Sequence, residues 1–564
     1  MHRGWEQRDQ IAFDPSTFDD EAGLTTDVYW SRIADDDPLF GETRTDPSLY
    51  RSIDGGKTWN RLPDTKHLGG GTVFCHPTRR GVVYVGTPKG LYRSLDAGES
   101  FALLVPGDIT GLHVSKAASD AVWCIESGRL LHAEDGERFL ELPSPKLAGH
   151  TLRRIRVSPA DPSRMVLWRQ QDDGWDWTRW FSHDGGQTWT PSTIDNTLAF
   201  LPYNVRQNLA VWHPTDPNVL WAPGGDWPTK STDGGATYRW SARGVNNILP
   251  GGLVHPNAAD PSLIFFGSQD YNGALTRDGG ASWSYINPTG FAWGGFTYAG
   301  YAMDAKTLIV GLAAGWTAPL TLAVSRDGGA TWTENADVQF TKSFDKANDD
   351  TPFGLPSSYG SPRVPGVAFF GPWRTGDGGR NWSHMNGCDG VVAHAGNVLY
   401  GIDRTAGGSR IVQSADDGRR WTVVVEHDRP IRDLAIDAAR GRIFFADEDR
   451  LRVWQNGDVK TLDTPADQLG NRRVTSVAVD PFDPDVVYLA QHKNIYASDA
   501  SVCRSMDGGR TWQVLTRRTP LTGFADAGNL DGGREAIQVF VHPTTRELWV
   551  VTSCYGVWRY SAGS

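Results

Sequence analysis

A nonapeptide of the form x-[ST]-x-D-x-G-x-x-[WFY] recurs along the chain and constrains the fold more than any other feature. The first clear copy is RSIDGGKTW (51–59), and eight more follow, the last being RSMDGGRTW (504–512). Their aspartates are 39 to 50 residues apart, except for two gaps of 88 and 91 residues. Each long gap contains a degenerate copy, HAEDGERF (132–139) and VWQNGDVKTL (453–462). Self-similarity at this period indicates an array of one supersecondary unit.

Each unit contains four short apolar runs separated by turn residues, as residues 72–105 show clearly. This pattern predicts a four-stranded antiparallel blade, and the repeat length is that of a β-propeller blade. Together with a final unit at 536–560, the copies predict an all-β protein of about twelve four-stranded blades. The final unit ends before a fourth strand, and a spare segment around Trp5 precedes the first strand, DQIAF. A strand from one chain end could therefore close a blade begun at the other.

Twelve blades in one ring would leave a very wide channel, because ring diameter grows with blade number. Two packed propellers are more compact, and we place them at residues 1–290 and 291–564, with the first open to closure by a C-terminal strand. A groove between or across the propellers would suit a polymer.

The nonapeptide itself is predicted to be structural. Its aspartate and hydroxyl groups can hydrogen-bond to backbone amides of their own turn, and its glycines allow positive φ. The closing aromatic residue then packs into its blade. We therefore expect no metal or sugar at Asp54 or at the other copies.

This nonapeptide is identified as the Asp-box, or bacterial neuraminidase repeat, found in sialidases, sortilins, photosystem assembly factors and glycoside hydrolase family 74. Units such as DPNVLWAPGGDWPTKSTDGGATY and VVYVGTPKGLYRSLDAGESF resemble the blades of family 74, whose enzymes have tandem propellers. The resemblance implies an endo-acting, inverting hydrolase of a β-glucan such as xyloglucan. It also implies a carboxylate pair, with acids facing each other from two propellers.

Charge and cysteine content narrow the classes of partner. The formal charge of −11 favours neither nucleic acid nor an anionic membrane, so we expect a neutral polysaccharide or oligosaccharide ligand. We also expect no cofactor and no metal, and we expect the protein to be a monomer. The five cysteines lack C-x-x-C spacing and are predicted to be buried thiols, although Cys503 and Cys554 could pair in an exported protein. No signal peptide is visible, so a secreted or periplasmic location would require that one had been removed.

Aromatic residues point to the connections opposite the Asp-boxes. Of the 17 tryptophans outside the boxes, ten lie between Trp168 and Trp316. Indoles in loops suit the flat C–H faces of sugar rings, although they could equally cap blade edges or fill a seam between propellers. The predicted substrate-binding residues are Trp175, Trp177, Trp227, Tyr271, Trp293 and Trp316.

Glycoside hydrolysis requires two carboxyl groups, one protonated and one ionised. Among the loop acids we predict Asp226 and Asp270 as the catalytic pair, at equivalent positions of adjacent blades, over Asp172, Asp173 and Asp176. Each could instead be a turn former. Two other functions stay open, namely a non-catalytic glycan- or protein-binding scaffold and a polysaccharide lyase.

The lyase would need a Tyr/His or Lys base, for which His492 and Tyr496 are candidates. The irregular insertion 341–366 could be a lid or a crossing between rings.

Overall fold

A computed structural model of the chain describes most of its residues. These are 10–33, 35–37, 42–44, 47–172, 177–195, 209–222, 228–241, 249–270, 272–290, 295–314, 319–340, 356–405, 407–447, 450–465, 473–492, 501–515, 536–552 and 556–560. Regular structure in this part consists of β-strands and two single-turn 3₁₀ helices, Pro15–Thr17 and Lys66–Leu68. No helix within it is long and apolar enough to cross a membrane. The predicted all-β class is confirmed.

The chain divides into two compact units. The first comprises residues 1–197 and 204–242, and the second comprises residues 198–203 and 243–564. The assignment of residues 1–290 and 291–564 to two propellers stays a prediction.

The strands of the first unit are short and follow one another closely. They are β1 (Gln10–Phe13), β2 (Phe18–Asp19), β3 (Leu24–Thr25), β4 (Val28–Arg32), β5 (Asp35–Asp37), β6 (Glu42–Arg44), β7 (Ser48–Ser52), β8 (Asn60–Arg61), β9 (Thr72–Cys75), β10 (Val83–Thr87), β11 (Gly90–Ser94), β12 (Ala102–Pro106), β13 (Ile109–Ser115), β14 (Ala118–Glu126), β15 (Arg129–Ala133), β16 (Leu140–Glu141), β17 (His150–Val157), β18 (Met165–Gln171), β19 (Trp177–Ser182), β20 (Thr190–Pro191), β21 (Thr193–Asp195), β22 (Val211–Trp212), β23 (Leu220–Ala222), β24 (Thr229–Ser231) and β25 (Thr237–Trp240).

The strands of the second unit continue the same pattern. They are β26 (Leu249–Pro250), β27 (Ile264–Asp270), β28 (Asn272–Thr276), β29 (Ser284–Ile286), β30 (Gly295–Ala302), β31 (Leu308–Ala313), β32 (Leu320–Ser325), β33 (Thr333–Phe340), β34 (Ser358–Gly360), β35 (Ala368–Phe370), β36 (Trp373–Thr375), β37 (Trp382–His384), β38 (Gly390–Ala395), β39 (Val398–Thr405), β40 (Gly408–Ser414), β41 (Thr422–His427), β42 (Ile431–Asp437), β43 (Arg442–Asp447), β44 (Leu451–Gln455), β45 (Asp458–Leu462), β46 (Arg473–Val479), β47 (Val487–His492), β48 (Ser501–Ser505), β49 (Gln513–Val514), β50 (Ala536–Val541), β51 (Leu548–Thr552) and β52 (Val557–Tyr560).

Consecutive strands pair antiparallel into successive small sheets. In the first unit, sheets 1 to 5 are β1-β4-β7-β8, β9–β12, β13–β16, β17–β20 and β22–β25, with β21 added parallel to β25. In the second unit, β26–β33 form one eight-stranded sheet whose halves we call sheets 6 (β26–β29) and 7 (β30–β33). Sheets 8 to 11 are β34–β37, β38–β41, β42–β45 and β46–β49, and sheet 12 has three described strands, β50–β52. This organisation is consistent with the predicted number of about twelve blades.

The core lies between consecutive sheets, because each sheet is apolar on both faces. Tyr29 and Leu49 of sheet 1 pack with Val83 and Val85 of sheet 2, for example. Equivalent clusters join the later sheets of each unit. Four cysteines, Cys75, Cys124, Cys388 and Cys503, contribute to these clusters or are buried beside them, as predicted. The pairing of Cys503 with Cys554 stays a prediction, since Cys554 lies outside the described residues.

The Asp-box is a self-contained turn, as predicted. In the first copy, the Ser52 hydroxyl donates to Asp54 (2.7 Å) and accepts from the amide of Gly56 (2.8 Å). The same oxygen of Asp54, Oδ1, accepts from the amide of Thr58 (2.9 Å), and Oδ2 accepts from the Thr58 hydroxyl (2.6 Å). The Trp59 indole donates to the carbonyl of Gly56 (2.9 Å). These donors lower the pKa of Asp54 to about 2. Both oxygens of the carboxylate accept hydrogen bonds from within the turn, so the carboxylate is structural.

The two degenerate copies occupy the same place with fewer hydrogen bonds. Asp135 still accepts from the amides of Glu137 (2.9 Å) and Arg138 (2.8 Å). Between β44 and β45 the box is reduced to Asn456-Gly457, both residues with positive φ (52° and 93°). This is the two-residue hairpin signature, so the blade keeps its strands without a box.

Sheet 12 packs on sheet 6 and closes the second unit into a ring. The Gln538 side chain accepts from the amide of Val254 (2.7 Å) and donates to its carbonyl (3.0 Å). Nε2 of His542 contacts the carbonyl of Pro261 (2.9 Å), and Arg559 donates to the carbonyl of Gly279 (3.2 Å). The last of these contacts, from a third strand to the next Asp-box, recurs between other sheets, as in Arg374 to the carbonyl of Asp417 (2.7 Å).

We predict that these turns require a buried hydroxyl group, and that serine and threonine supply it equally well. Ser325 accepts from the amide of Gly329 (2.8 Å), and Thr276 fills the same role in the neighbouring box. Ser325→Ala should therefore cost about 1–3 kcal/mol by leaving that amide unpaired, whereas S325T should be close to neutral. Thermal unfolding and hydrogen exchange at Gly329 would measure this. Equal losses in both variants would contradict the assignment.

A buried carboxyl joins sheets 10 and 11. Asp433 is buried, and it accepts hydrogen bonds from the Ser476 hydroxyl and from the amides of Val477 (3.2 Å) and Leu434 (2.9 Å). Burial raises its pKa to about 6, despite these three donors. The chain passes through a register shift immediately before both Asp433 and Ser476, and the two side chains meet across the seam.

This carboxyl should make the stability of the second unit pH-dependent. Because the folded pKa lies above the unfolded value, its contribution is fully present below about pH 4, falls as pH rises through 6, and is then smaller by about 3 kcal/mol. D433N should abolish that dependence, whereas D458N, at an exposed aspartate on the edge strand of the same sheet, should retain it. Denaturant unfolding from pH 4 to 7 is the measurement. An unchanged pH profile in D433N would disprove the prediction.

Candidate functional site

The Asp-boxes identify the opposite end of each sheet as the place to look for a site. A box connects the third and fourth strands, so the connection from the second to the third strand lies at the other end of the sheet, which we call the loop face. Some of these connections are minimal: in sheet 2 the Thr87 hydroxyl donates to the carbonyl of Gly90 (3.1 Å) and accepts from the amide of Lys89 (3.1 Å). Such a turn leaves little room for chemistry.

Asp270 lies on the loop face of the second unit, at the end of β27. Its backbone pairs with Gly295 of β30, and Gln269 pairs with Phe296, so β27 bonds to strands on both sides. This double pairing links sheets 6 and 7 at that end. The strand that carries Asp270 is therefore held on both sides, and Asp270 itself is paired with β30.

The turn after Asp270 is fixed by a buried asparagine. Asn272 has a positive φ (64°), and its amide donates to the Tyr285 hydroxyl (2.7 Å). The Thr289 hydroxyl donates to the other end of the same amide (2.5 Å). The hydroxyl of Thr297 contacts the carbonyl of Asn272 and accepts from the amide of Ser268 (3.0 Å). These contacts hold Asn272, two residues after Asp270, in place at the start of β28.

The other predicted catalytic and binding residues are mostly outside the described part of the chain. These are Asp226, Trp175, Trp227, Tyr271, Trp293 and Trp316, together with the side chain of Asp270. The same holds for Asp173, Asp176, Tyr496, the side chain of His492, and residues 341–355 of the insertion. Asp226 follows β23 in sheet 5, on the connection from the second to the third strand. The pairing of Asp226 with Asp270 stays a prediction.

Trp177 and Asp172 are described, and neither is a free loop side chain. Trp177 is 5% exposed and packs with Trp168 and Trp212, and the Arg154 guanidinium lies 5.7 Å from its ring. Its place is therefore in the core between sheets 4 and 5. Asp172 is exposed and accepts from the Thr151 hydroxyl (2.5 Å).

The structure also shows acid–arginine pairs on the loop face that the sequence pattern did not single out. Glu126 pairs with Arg129, and Asp403 pairs with Arg410. Asp447 accepts from Arg452 (2.8 Å) and lies 3.0 Å from Nε2 of His427. The sequence signal is an acid late in a second strand followed by an arginine early in the third.

Asp270 differs from these pairs. It ends a second strand, but the following strand begins Asn272-Gly273-Ala274, without an arginine. A carboxyl group without a cation beside it in the next strand is better suited to carry a proton at neutral pH than one in an ion pair. Among the described residues, no group of three or more His, Cys, Asp or Glu could hold a metal ion.

Comparison with known proteins agrees with this architecture. The family model described as BNR/Asp-box repeat matches residues 180–191. A xyloglucanase of Hypocrea jecorina (strain QM6a) is 26% identical over 341 residues, which are 47% of this chain and 39% of that protein. The chain therefore spans about two fifths of the length of that relative.

Two solved structures are similar over nearly the whole chain. The GH74 xyloglucanase from Xanthomonas campestris superposes with a TM-score of 0.52 at 17% identity, covering 98% of this chain and 90% of that one. A GH74 enzyme from Niastella koreensis gives a TM-score of 0.51 at 14% identity, with 98% and 91% covered. These identities speak for the fold alone. The chain is an Asp-box β-propeller protein that resembles the propeller enzymes of glycoside hydrolase family 74 in fold and repeat.

Proposed function

We propose that the protein is a glycoside hydrolase that cleaves internal bonds of a polysaccharide. The observation that carries the proposal is its similarity to xyloglucanases, in sequence over 341 residues and in fold over 98% of the chain. A β-glucan of the xyloglucan type is accordingly the first substrate to test. The formal charge of −11 fits a neutral polymer better than an acidic one.

Asp226 and Asp270 are the proposed catalytic carboxyl groups. One would protonate the departing glycosidic oxygen, and the other, ionised, would activate a water molecule on the opposite side of the sugar ring, with inversion at the anomeric carbon. Asp270 is the better candidate for the acid, because no arginine follows it in β28 and the buried Asn272 holds its turn. Asp226 would then act as the base.

The aromatic residues of the loop connections would bind the sugar chain. Trp227 follows Asp226 directly, and Tyr271 follows Asp270. Stacking of indole and phenol rings on sugar C–H faces would place the scissile bond beside the carboxyl groups. Trp175, Trp293 and Trp316 would extend the same surface. Trp177 is left out because it is buried.

Removing either carboxyl group should abolish hydrolysis while the fold persists. D226N and D270N should each lower kcat on xyloglucan by roughly 10³-fold or more, since each carboxyl acts in the bond-breaking step. The release of new reducing ends is the measurement. NMR of the initial product anomer would establish whether the reaction inverts.

The matched control lies in the same sheet. Asp278 belongs to the Asp-box at the opposite end of β28, so D278N makes the same charge change away from the loop face. It should retain activity. Full activity in D226N and D270N would disprove the assignment. An unsaturated uronate product would indicate a lyase, and binding without any cleavage would indicate a glycan-binding scaffold.

Truncating a stacking residue should act mainly on binding. W227A and W316A should raise KM for a long xyloglucan chain by roughly 10-fold, because a lost sugar–aromatic contact is of the order of 1–2 kcal/mol. The value of kcat should change less. Unchanged KM in both variants would contradict a role in substrate binding.

A further inference from the structure

The first strands of sheets 2, 3 and 4 converge on Phe74, His113 and Arg156, which we call the Arg156 cluster. Cζ of Arg156 lies 5.7 Å from the centroid of the Phe74 ring, and the centroid of the His113 ring lies 5.5 Å from it, with the two rings at 73°. Phe74 belongs to sheet 2 and Arg156 to sheet 4, so the two side chains meet past the intervening strand of sheet 3. All three residues are half-buried, so solvent reaches the cluster in part.

The cluster lies toward the end of these sheets that carries the Asp-boxes. In sheet 4, Ser158 follows Arg156 by two positions and accepts from the amide of Ala160 (3.2 Å), at the start of the turn to β18. The amide of Gly185, in the Asp-box of the same sheet, donates to the carbonyl of Ser163 in that turn (3.0 Å). The cluster is therefore at the opposite end from the loop face, and its binding properties do not depend on the proposed hydrolase activity.

Arg156 has no carboxylate partner among the described residues. Nη1 of its guanidinium donates to the carbonyl of Ile155 (2.8 Å), which leaves the remaining N–H groups without an acceptor in that part of the chain. Burial and the neighbouring cation Arg154 lower its pKa to about 10. Arg156 is therefore still charged at neutral pH, and folding removes part of its hydration without supplying a counter-charge.

His113 adds no charge to the cluster. Its Nε2 lies 3.0 Å from the carbonyl of Val157, and burial together with Arg156 lowers its pKa to about 3. A neutral ring that donates from Nε2 has a lone pair on Nδ1, and that buried atom has no partner within the described ranges. The positive charge of the cluster thus comes from Arg156 alone.

An arginine of the second unit shows the more usual arrangement. Arg442 lies over the Phe444 ring at 5.0 Å, much as Arg156 lies over Phe74. Its Nε is also 2.8 Å from the buried carboxylate of Asp437. Arg156 therefore has the ring contact of Arg442 without the acid. The same pairing of a half-buried arginine with a buried aspartate recurs in Arg51 with Asp27 and in Arg452 with Asp447.

The fold itself does not require a cation at this place. Tyr359 stands at the corresponding position of sheet 8, two residues before Ser361, whose hydroxyl accepts from the amide of Arg363 (3.2 Å) as Ser158 does from its own turn. The Tyr359 hydroxyl lies 2.8 Å from Nδ1 of His394, so this uncharged side chain has its partner within the protein. Packing alone therefore does not explain an arginine at the equivalent position of sheet 4.

We propose that the Arg156 cluster binds an oxyanion, that is, a carboxylate, phosphate or sulfate group. A guanidinium offers parallel N–H groups that match two oxygens of such a group, and the contact with Phe74 holds the guanidinium in place. Arg154 adds to the positive potential at the cluster. The chain as a whole has a formal charge of −11, so this cationic site is not the by-product of a basic sequence.

Calorimetric titration of the full chain tests the site. Sulfate, phosphate and acetate are the probes, each compared with sodium chloride at the same ionic strength. At least one of them should bind with one-to-one stoichiometry, and the tightest identifies the class of oxyanion. R156M, which keeps an unbranched stem beside Phe74, should weaken that binding by roughly 10-fold or more, whereas R164M should leave it unchanged. Arg164 is the matched control because it lies in the same sheet with its Nε 3.9 Å from Asp161.

Thermal unfolding guards against a variant that fails to fold. In chloride alone, R156M should melt no lower than the wild type, because it removes a cation that has no carboxylate partner. R442M should melt several degrees lower, because it leaves the buried Asp437 without its cation.

The same measurement separates specific binding from a general salt effect, since sulfate stabilises folded proteins through its exclusion from their surface. At about ten times its Kd, the bound oxyanion should raise the melting temperature of the wild type by roughly 3–6 °C more than that of R156M. Equal increments in both proteins, or no one-to-one binding of any probe to the wild type, would overturn the proposal.

Discussion

Each sheet of this protein is apolar on both faces, so each needs a neighbour on both sides. No sheet could be stable alone, because burial of one face leaves the other in water. The second unit meets this requirement by packing the three described strands of its last sheet on its first sheet, with Gln538 bridging the backbone of Val254. The arrangement of the other sheets of this unit, and with it the loop face, depends on that packing of the last sheet on the first. The Asp-box turns stabilise individual sheets, whereas the contacts between neighbouring sheets hold each unit together.

The sequence predicts the sheets well because their signals are local. An Asp-box is determined by residues within one turn, so the nonapeptide alone is enough to assign Ser52, Asp54 and Thr58 to one another. Strand pairing follows from the repeat. The reduced box at Asn456-Gly457 is recognisable for the same reason, since its hairpin preference is local.

Contacts between sheets are less predictable because they join residues distant in sequence. The bridge between Val254 and Gln538 spans 284 positions, and nothing in either segment alone indicates it. Trp177 shows the same limit at short range: its position beside a loop predicted a sugar-stacking role, whereas its side chain packs between two sheets. The catalytic assignment of Asp226 and Asp270 rests on chemistry and on resemblance.

The Asp-box carboxylates have a consequence beyond the turns that they hold. Their pKa values are held down, to about 2 for Asp54, Asp184, Asp278 and Asp327, because each accepts several hydrogen bonds in its charged form. At pH 3 an ordinary surface aspartate is largely neutral, but these remain ionised. Each of these boxes thus keeps its carboxylate charge, and with it the hydrogen bonds that close the turn, in a medium acidic enough to neutralise an ordinary surface aspartate.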